Sequence, residues 1–134
     1  MIRIFSPDSP YTKRARFLAW LWTLLIFIAC LTPSAEIPKV DIPLIDKWTH
    51  CVLFGIFSFL WLCAKPALTT KWVVRLLIIS IAFGAFVEIV QDAATFLGRS
   101  AELVDAVADG IGGIIGVGLF CLFAYFSKRS SSAN

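Results

Sequence analysis

The sequence predicts an all-α, polytopic membrane protein with four transmembrane helices. Three observations lead there. Of 134 residues, 59% are hydrophobic and the mean hydropathy is +0.85, where a soluble domain is nearer half apolar. The apolar residues fall into four runs of roughly 17 to 23 residues, each long enough to cross a hydrocarbon core as a helix. The runs are uninterrupted rather than alternating with period two, which argues against a β-barrel. All six prolines lie outside them.

The first run covers about residues 15–32 and follows a polar segment ending in Lys13, Arg14 and Arg16. That charged front resembles a signal peptide. However, the run is long enough to span, carries Trp20 and Trp22, and is followed by a badly placed Pro33, so it reads as a retained helix. An acidic, proline-marked loop follows, with Glu36, Asp41 and Asp46 against Lys39. The second run, 47–64, opens on Asp46-Lys47-Trp48-Thr49-His50 and ends in a short basic turn. The third, 72–91, ends on Glu88-Ile89-Val90-Gln91-Asp92. A polar connection over 92–104 contains Arg99. The fourth, 104–126, opens with Asp105 and Asp109 and continues with Gly112, Gly113, Gly116 and Gly118. Residues 127–134 are small and polar and read as a disordered tail. The whole of 1–134 reads as one transmembrane domain.

Orientation follows from the basic residues. Nine of the twelve lie in the N-terminal tail, the 65–75 region and the C-terminal tail, which four crossings put on one side. That side, with both termini, is expected to be cytoplasmic, in the plasma membrane. The other side holds eight of the nine acids together with Lys39, Lys47 and Arg99. The net charge of +3 gives no indication of nucleic-acid binding; the expected partner is the bilayer. Cys30, Cys51, Cys63 and Cys121 lie in apolar runs without metal-type spacing and read as packing residues.

This topology brings three distant segments to one depth near the outer face. Asp46, Lys47 and His50 share a helix face, as do Glu88, Gln91 and Asp92, and as do Asp105 and Asp109. Lipid penalises such charges, so the charged faces are expected to point into the bundle. Gly84 lies on the Glu88 stripe, and Gly112 and Gly116 have the spacing that lets helix backbones approach. The expected pocket is lined by His50, Glu88, Gln91, Asp105 and Asp109, with Lys47 and Arg99 at its mouth. Carboxylates so crowded do not all ionise cheaply: either one is protonated or a cation neutralises them.

Three chemistries fit. Carboxylates with His50, above all His50, Glu88 and Asp109, could hold a divalent metal that activates water. His50, Glu88, Asp105 or Asp109 could act as general acid or base. Lys47 and Arg99, with Gln91 and Asp46, could hold a lipid head group or its phosphate while the acids work on it. Each has a plainer rival. A lone histidine more often makes a helix-end hydrogen bond, acids at helix starts favour the macrodipole, and the network could be wholly structural. Neither catalysis nor any cofactor, metal or oligomeric state follows from these residues alone.

Asp46-Lys47-x-x-His50, then Glu88-x-x-Gln91, then Gly98-Arg99 with Asp105 six residues on, then a glycine-rich helix, resemble the VanZ-like membrane proteins over about residues 46–116. The resemblance implies a small multi-helix membrane fold. It also implies a link to teicoplanin resistance, the property associated with the founding member. The family usually has asparagine where this chain has Asp109, which adds an acid to the pocket. The leading expectation is an outward-facing site acting on an envelope lipid or phosphate-bearing component. The alternatives are a non-enzymatic envelope protein that limits lipoglycopeptide binding, and a proton-coupled transporter with Glu88 and Asp109 as its relay.

Overall fold

The structure is a computed structural model that describes residues 10–33, 43–65, 69–94 and 102–132. Among these there are four helices and no strand: α1 (Pro10–Cys30), α2 (Ile45–Cys63), α3 (Thr70–Ala93) and α4 (Leu103–Ser132). Each of the first three begins two to five residues earlier than its apolar run, because a first turn tolerates polar residues facing water. Pro10 suits the first helical position, where its missing N–H has no helical partner anyway. Thr69 caps α3, its hydroxyl accepting the Trp72 N–H at 3.2 Å. The expected disordered tail is corrected over 127–132: α4 runs on to Ser132, since nothing between Phe126 and Ser132 breaks the hydrogen-bond ladder.

The side-chain distribution is that of a membrane protein. The buried set includes His50, Ser58, Ser80, Glu88, Gln91, Asp105 and Asp109, while the exposed set includes Leu24, Ile28, Val52, Ile78, Ile114 and Leu122. Water would favour the reverse, and lipid favours what is seen. By length and composition α3 (mean hydropathy 2.4) and residues Leu103–Phe126 of α4 (2.0) are apolar enough to cross a bilayer. The first two turns of α1 carry Lys13, Arg14 and Arg16, and the first turn of α2 carries Asp46 and Lys47, which lowers their apolar content.

The contacts fix the directions. Lys47 meets Asp105, His50 meets Asp109, and Gly55 faces Gly116, so α2 and α4 run parallel. Glu88 meets Glu102 and Gly84 faces Asp109, so α3 runs against them. Gln91 near the end of α3 reaches Cys30 at the end of α1. The start of α2, the end of α3, the start of α4 and the end of α1 therefore share one end of the bundle.

Helices α2 and α4 pack backbone to backbone. A Cβ on Gly112 would run into the Cys51 carbonyl, and one on Gly116 into the Gly55 carbonyl. In lipid, where apolar burial gives no drive between helices, such close van der Waals contact is a main source of association. Around this seam three buried stripes descend with a spacing of about four residues. They are His50, Phe54, Ser58 and Leu62 on α2; Glu88, Gly84, Ser80 and Leu76 on α3; and Asp109, Gly113, Gly116 and Phe120 on α4. Phe54, Phe57 and Phe83 pack together, Phe57 stacked on Phe83 at 5.4 Å. Each stripe is polar at one end and bulky and apolar at the other. At that apolar end a cavity of about 280 Å³ is walled by Trp20, Trp61, Trp72 and Leu76, with no titratable side chain among its lining residues.

Candidate functional site

The polar end is built from helix starts and a helix end. Leu44, just ahead of α2, adopts a left-handed conformation (φ 57°) and gives α2 no side-chain cap. The first turn of α2 is held instead through Lys47. Its ammonium lies 2.8 Å from Asp105, 2.5 Å from Glu102 and 3.4 Å from Asp46. One cation thus ties α2 to the start of α4 through two carboxylates, Glu102 and Asp105, and also meets Asp46 of its own helix. The Asp105 carboxylate is buried, whereas Glu102 is half exposed. Lys47→Gln is accordingly expected to destabilise the protein by about 2 kcal/mol, because it leaves a buried carboxylate unpaired. Glu102→Gln should cost less than about 1 kcal/mol, as an exposed ion pair contributes little. Denaturant unfolding in detergent micelles measures both, and equal losses would mean that burial of Asp105 does not set the energetics.

One turn inward, His50 Nδ1 and Asp109 Oδ1 are 2.9 Å apart, their side chains 2% and 1% exposed. The second oxygen of Asp109 lies against Gly84 of α3, where any Cβ would overlap it. Glycine is required there because the carboxylate occupies the space of a side chain. Glu88, one turn further along α3, accepts the Glu102 backbone N–H on Oε2 at 2.9 Å. It thereby caps the start of α4 from a neighbouring helix, where a negative charge complements the macrodipole. Glu88 Oε1 and Asp109 Oδ2 are buried without a hydrogen-bond partner.

Gln91 is buried, and its amide donates to the Cys30 carbonyl at 2.6 Å. It satisfies one of the orphan acceptors at the end of α1, so one of its two donors is committed. Arg99 lies outside the described residues. The structure therefore brings together Asp46, Lys47, His50, Glu88, Asp105 and Asp109, and sets Gln91 at the margin against α1. Cys30, Cys51, Cys63 and Cys121 form no disulfide among the described residues.

Two contributors stand outside the set predicted from sequence. Glu102 bonds both Lys47 and Glu88, and its spacing of three residues from Asp105 is the signal that could have found it. The end of α1 takes part through a backbone carbonyl, which no residue type reveals. For a cation, the atoms that converge are those of Asp46, His50 and Asp105, within 4.8 Å of one another. Glu88 and Asp109, predicted as metal ligands beside His50, are not in that group. The Lys47 ammonium already sits on Asp46 and Asp105, so an ion there would have to displace it.

Formal charges give the site its character. Asp46, Glu88, Glu102, Asp105 and Asp109 face Lys47 and a titratable His50, so acids outnumber cations. Beside them runs an apolar groove of about 200 Å³, lined by Leu44, Lys47, Trp48, Cys51, Ala108 and Ile111. Lys47 is the one charged residue among those that line it. The arrangement can take a proton from, or give one to, a polar group presented beside an acyl chain.

A family model described as VanZ/LLP1 matches residues 9–124. No curated protein and no solved structure matches the chain.

Proposed function

The chain belongs to the VanZ/LLP1 family, and from that premise and the buried His50–Asp109 pair we propose that it acts on the polar head group of an envelope lipid at the outer face of the plasma membrane. In this reading the four helices all cross the bilayer, with both termini cytoplasmic, as the basic residues favour. His50, oriented by Asp109, moves a proton to or from the head group, and Glu88 and Asp105 stabilise the charge that develops. The apolar groove beside Lys47 takes an acyl chain. The surplus of carboxylates favours a head group carrying hydroxyl or amine groups over one presenting a bare phosphate. Lys47 is shared among three acids, and a phosphate would compete with them for it.

The observation that carries this reading is a histidine–carboxylate pair buried beside two carboxylate oxygens with no partner of their own. Structural networks are normally satisfied, and orphaned acceptors point to a missing ligand or water. A second reading, a non-enzymatic envelope protein limiting lipoglycopeptide binding, draws support from the part of the network that is satisfied. Lys47, Gln91 and Glu88 Oε2 all have structural partners.

One experiment separates them. The wild type and the variants Glu88→Ala, Asp105→Ala and Asp109→Asn are expressed in a teicoplanin-susceptible bacterium. Extracted lipids are compared by mass spectrometry, and teicoplanin susceptibility is measured. The enzyme reading expects a head-group change with wild type that the folded variants lose. Resistance with an unaltered lipid profile would favour the second reading, and no change in either measurement would refute both.

A further inference from the structure

The two ends of the bundle differ in charge as well as in packing. The described acids, Asp46, Glu88, Asp92, Glu102, Asp105 and Asp109, all belong to the end that carries the acid site. Every described lysine and arginine except Lys47 belongs to the opposite end, where no acid lies among the described residues. The cations there have no described carboxylate to meet, so their counter-charge comes from elsewhere.

The same end holds the cavity of about 280 Å³. Phe57 and Trp61 of α2 form its back, and Phe57 is buried. Its most exposed lining residues are Trp20 of α1 at 61% and Ile79 of α3 at 46%, so it opens between α1 and α3 toward lipid. Nearer the acid site the same two helices are tied together, Phe27 edge-on against Phe83 at 5.1 Å and Gln91 on the Cys30 carbonyl.

The polar groups that border the cavity are engaged or turned away. The Thr23 hydroxyl donates to the Ala19 carbonyl at 2.7 Å, and the Trp61 indole N–H donates to the Thr23 oxygen at 3.3 Å. The Trp72 N–H is fully buried, so that indole shows the cavity only carbon. Such a lining takes hydrocarbon and offers water nothing. The volume is near the lower limit of small-molecule sites, roughly 300 Å³, and suits part of one acyl chain.

Cations stand over the opening on all three helices. Lys65 Nζ lies 4.6 Å from the centre of the Trp72 ring, which is a wall of the cavity. Arg16 precedes Trp20 by four residues on α1, and Arg75 precedes Ile79 by four on α3. Each therefore stands one turn nearer the end of the bundle, above one lip of the opening, and both are exposed.

We infer that this cavity and its cationic rim bind an anionic phospholipid, one acyl chain entering between α1 and α3 and the head-group phosphate resting on Arg16, Lys65 and Arg75. Arginine pairs with phosphate oxygens two at a time, and aromatic walls topped by basic residues match the depth order of chain and head group. A zwitterionic head group would bring an ammonium to an end of the bundle with no described carboxylate, so the anionic class is the one that fits. With the orientation proposed above, the lipid belongs to the cytoplasmic leaflet. The site lies at the other end of the bundle from His50 and Asp109 and does not depend on catalysis.

Native mass spectrometry of the full-length protein in detergent tests it, by titration with phosphatidylglycerol or with phosphatidylcholine of identical chains. One phosphatidylglycerol is expected to bind at least about fivefold more tightly than phosphatidylcholine, the factor that a single basic residue near a head group supplies. Arg16→Gln combined with Arg75→Gln should remove most of that preference and leave phosphatidylcholine binding unchanged. Ile79→Trp, which fills the opening, should weaken both lipids, whereas Ile78→Trp, at an exposed position outside the cavity, should weaken neither. Equal affinity for the two lipids, or equal effects of the two tryptophan substitutions, would overturn the site. A second measurement needs only the wild type. In phosphatidylcholine bilayers, a trace of phosphatidylglycerol with brominated chains should quench tryptophan emission more than the same trace of brominated phosphatidylcholine, because Trp20 and Trp61 line the cavity. Equal quenching would also overturn it. Neither readout involves the acid site or the direction in which the protein faces, so failure here leaves the proposed head-group chemistry standing, and failure of that chemistry leaves this site standing.

Discussion

Gly112→Ala should cost the fold about 3 kcal/mol, the upper end of what overpacking a tight interface exacts, while Gly118→Ala on the same helix leaves stability unchanged. The two glycines are chemically equivalent and six residues apart in one helix. What differs is the neighbour. A methyl group at Gly112 meets the carbonyl oxygen and carbon of Cys51, which are backbone and cannot rotate away. Relief requires α2 and α4 to separate, which also pulls Lys47 from Asp105 and His50 from Asp109. Gly116→Ala meets the Gly55 carbonyl and should behave like Gly112→Ala. At Gly118 nothing lies within 4 Å of the added carbon. Alanine is also the better helix former, so that change should be neutral or slightly favourable. Thermal unfolding of the three variants in one detergent decides the matter. Parallel losses at 112 and 118 would mean that helix flexibility, and not contact with α2, is what the glycines supply.

His50→Ala is expected to be about as damaging, at about 3–5 kcal/mol, because removing one member of a buried hydrogen-bonded pair strands the other. Asp109 would keep no partner on either oxygen, since Oδ2 has none already. Asp109→Asn should cost less than about 1 kcal/mol, as the amide can still bond the imidazole. Its small size also preserves the fit against Gly84. Combining His50→Leu with Asp109→Ala should recover much of the single-mutant loss, because replacing both members of a buried pair by apolar groups is far cheaper than breaking it. A double-mutant cycle read from unfolding curves tests this. A double variant as unstable as the sum of its parts would show that the two residues do not act as a pair.

The meeting of His50, Glu88, Asp105 and Asp109 at one end of the bundle was readable from the chain. It needs only the direction of four helices and the four-residue period along each. The partner of each residue was not readable in the same way. That Lys47 reaches Glu102 and Asp105, and His50 reaches Asp109, depends on how α2 is rotated and slid against α4. The Gly55, Gly112 and Gly116 contacts set that register, and a glycine spacing announces close approach without naming the surface approached. Gln91 also bonds the Cys30 carbonyl, an acceptor that any residue type would offer and that no pattern in the chain announces. The extension of α4 to Ser132 follows from an unbroken hydrogen-bond ladder, which a helix leaving the membrane keeps without apolar side chains.

Among the described residues the closest backbone packing joins α2 to α4, which are neighbours in space but not in the chain. During synthesis α2 emerges well before α4, and α3 must turn back between them. Until Asp105 and Asp109 arrive, Lys47 and His50 have no partners on α4, and the face that later receives Gly112 and Gly116 is bare. Biogenesis therefore imposes a waiting period in which a helix carrying exposed polar groups must be sheltered at the edge of the insertion machinery. The last helix to enter acts as the key that locks the bundle, and a chain truncated before Leu103 should be a substrate for quality control.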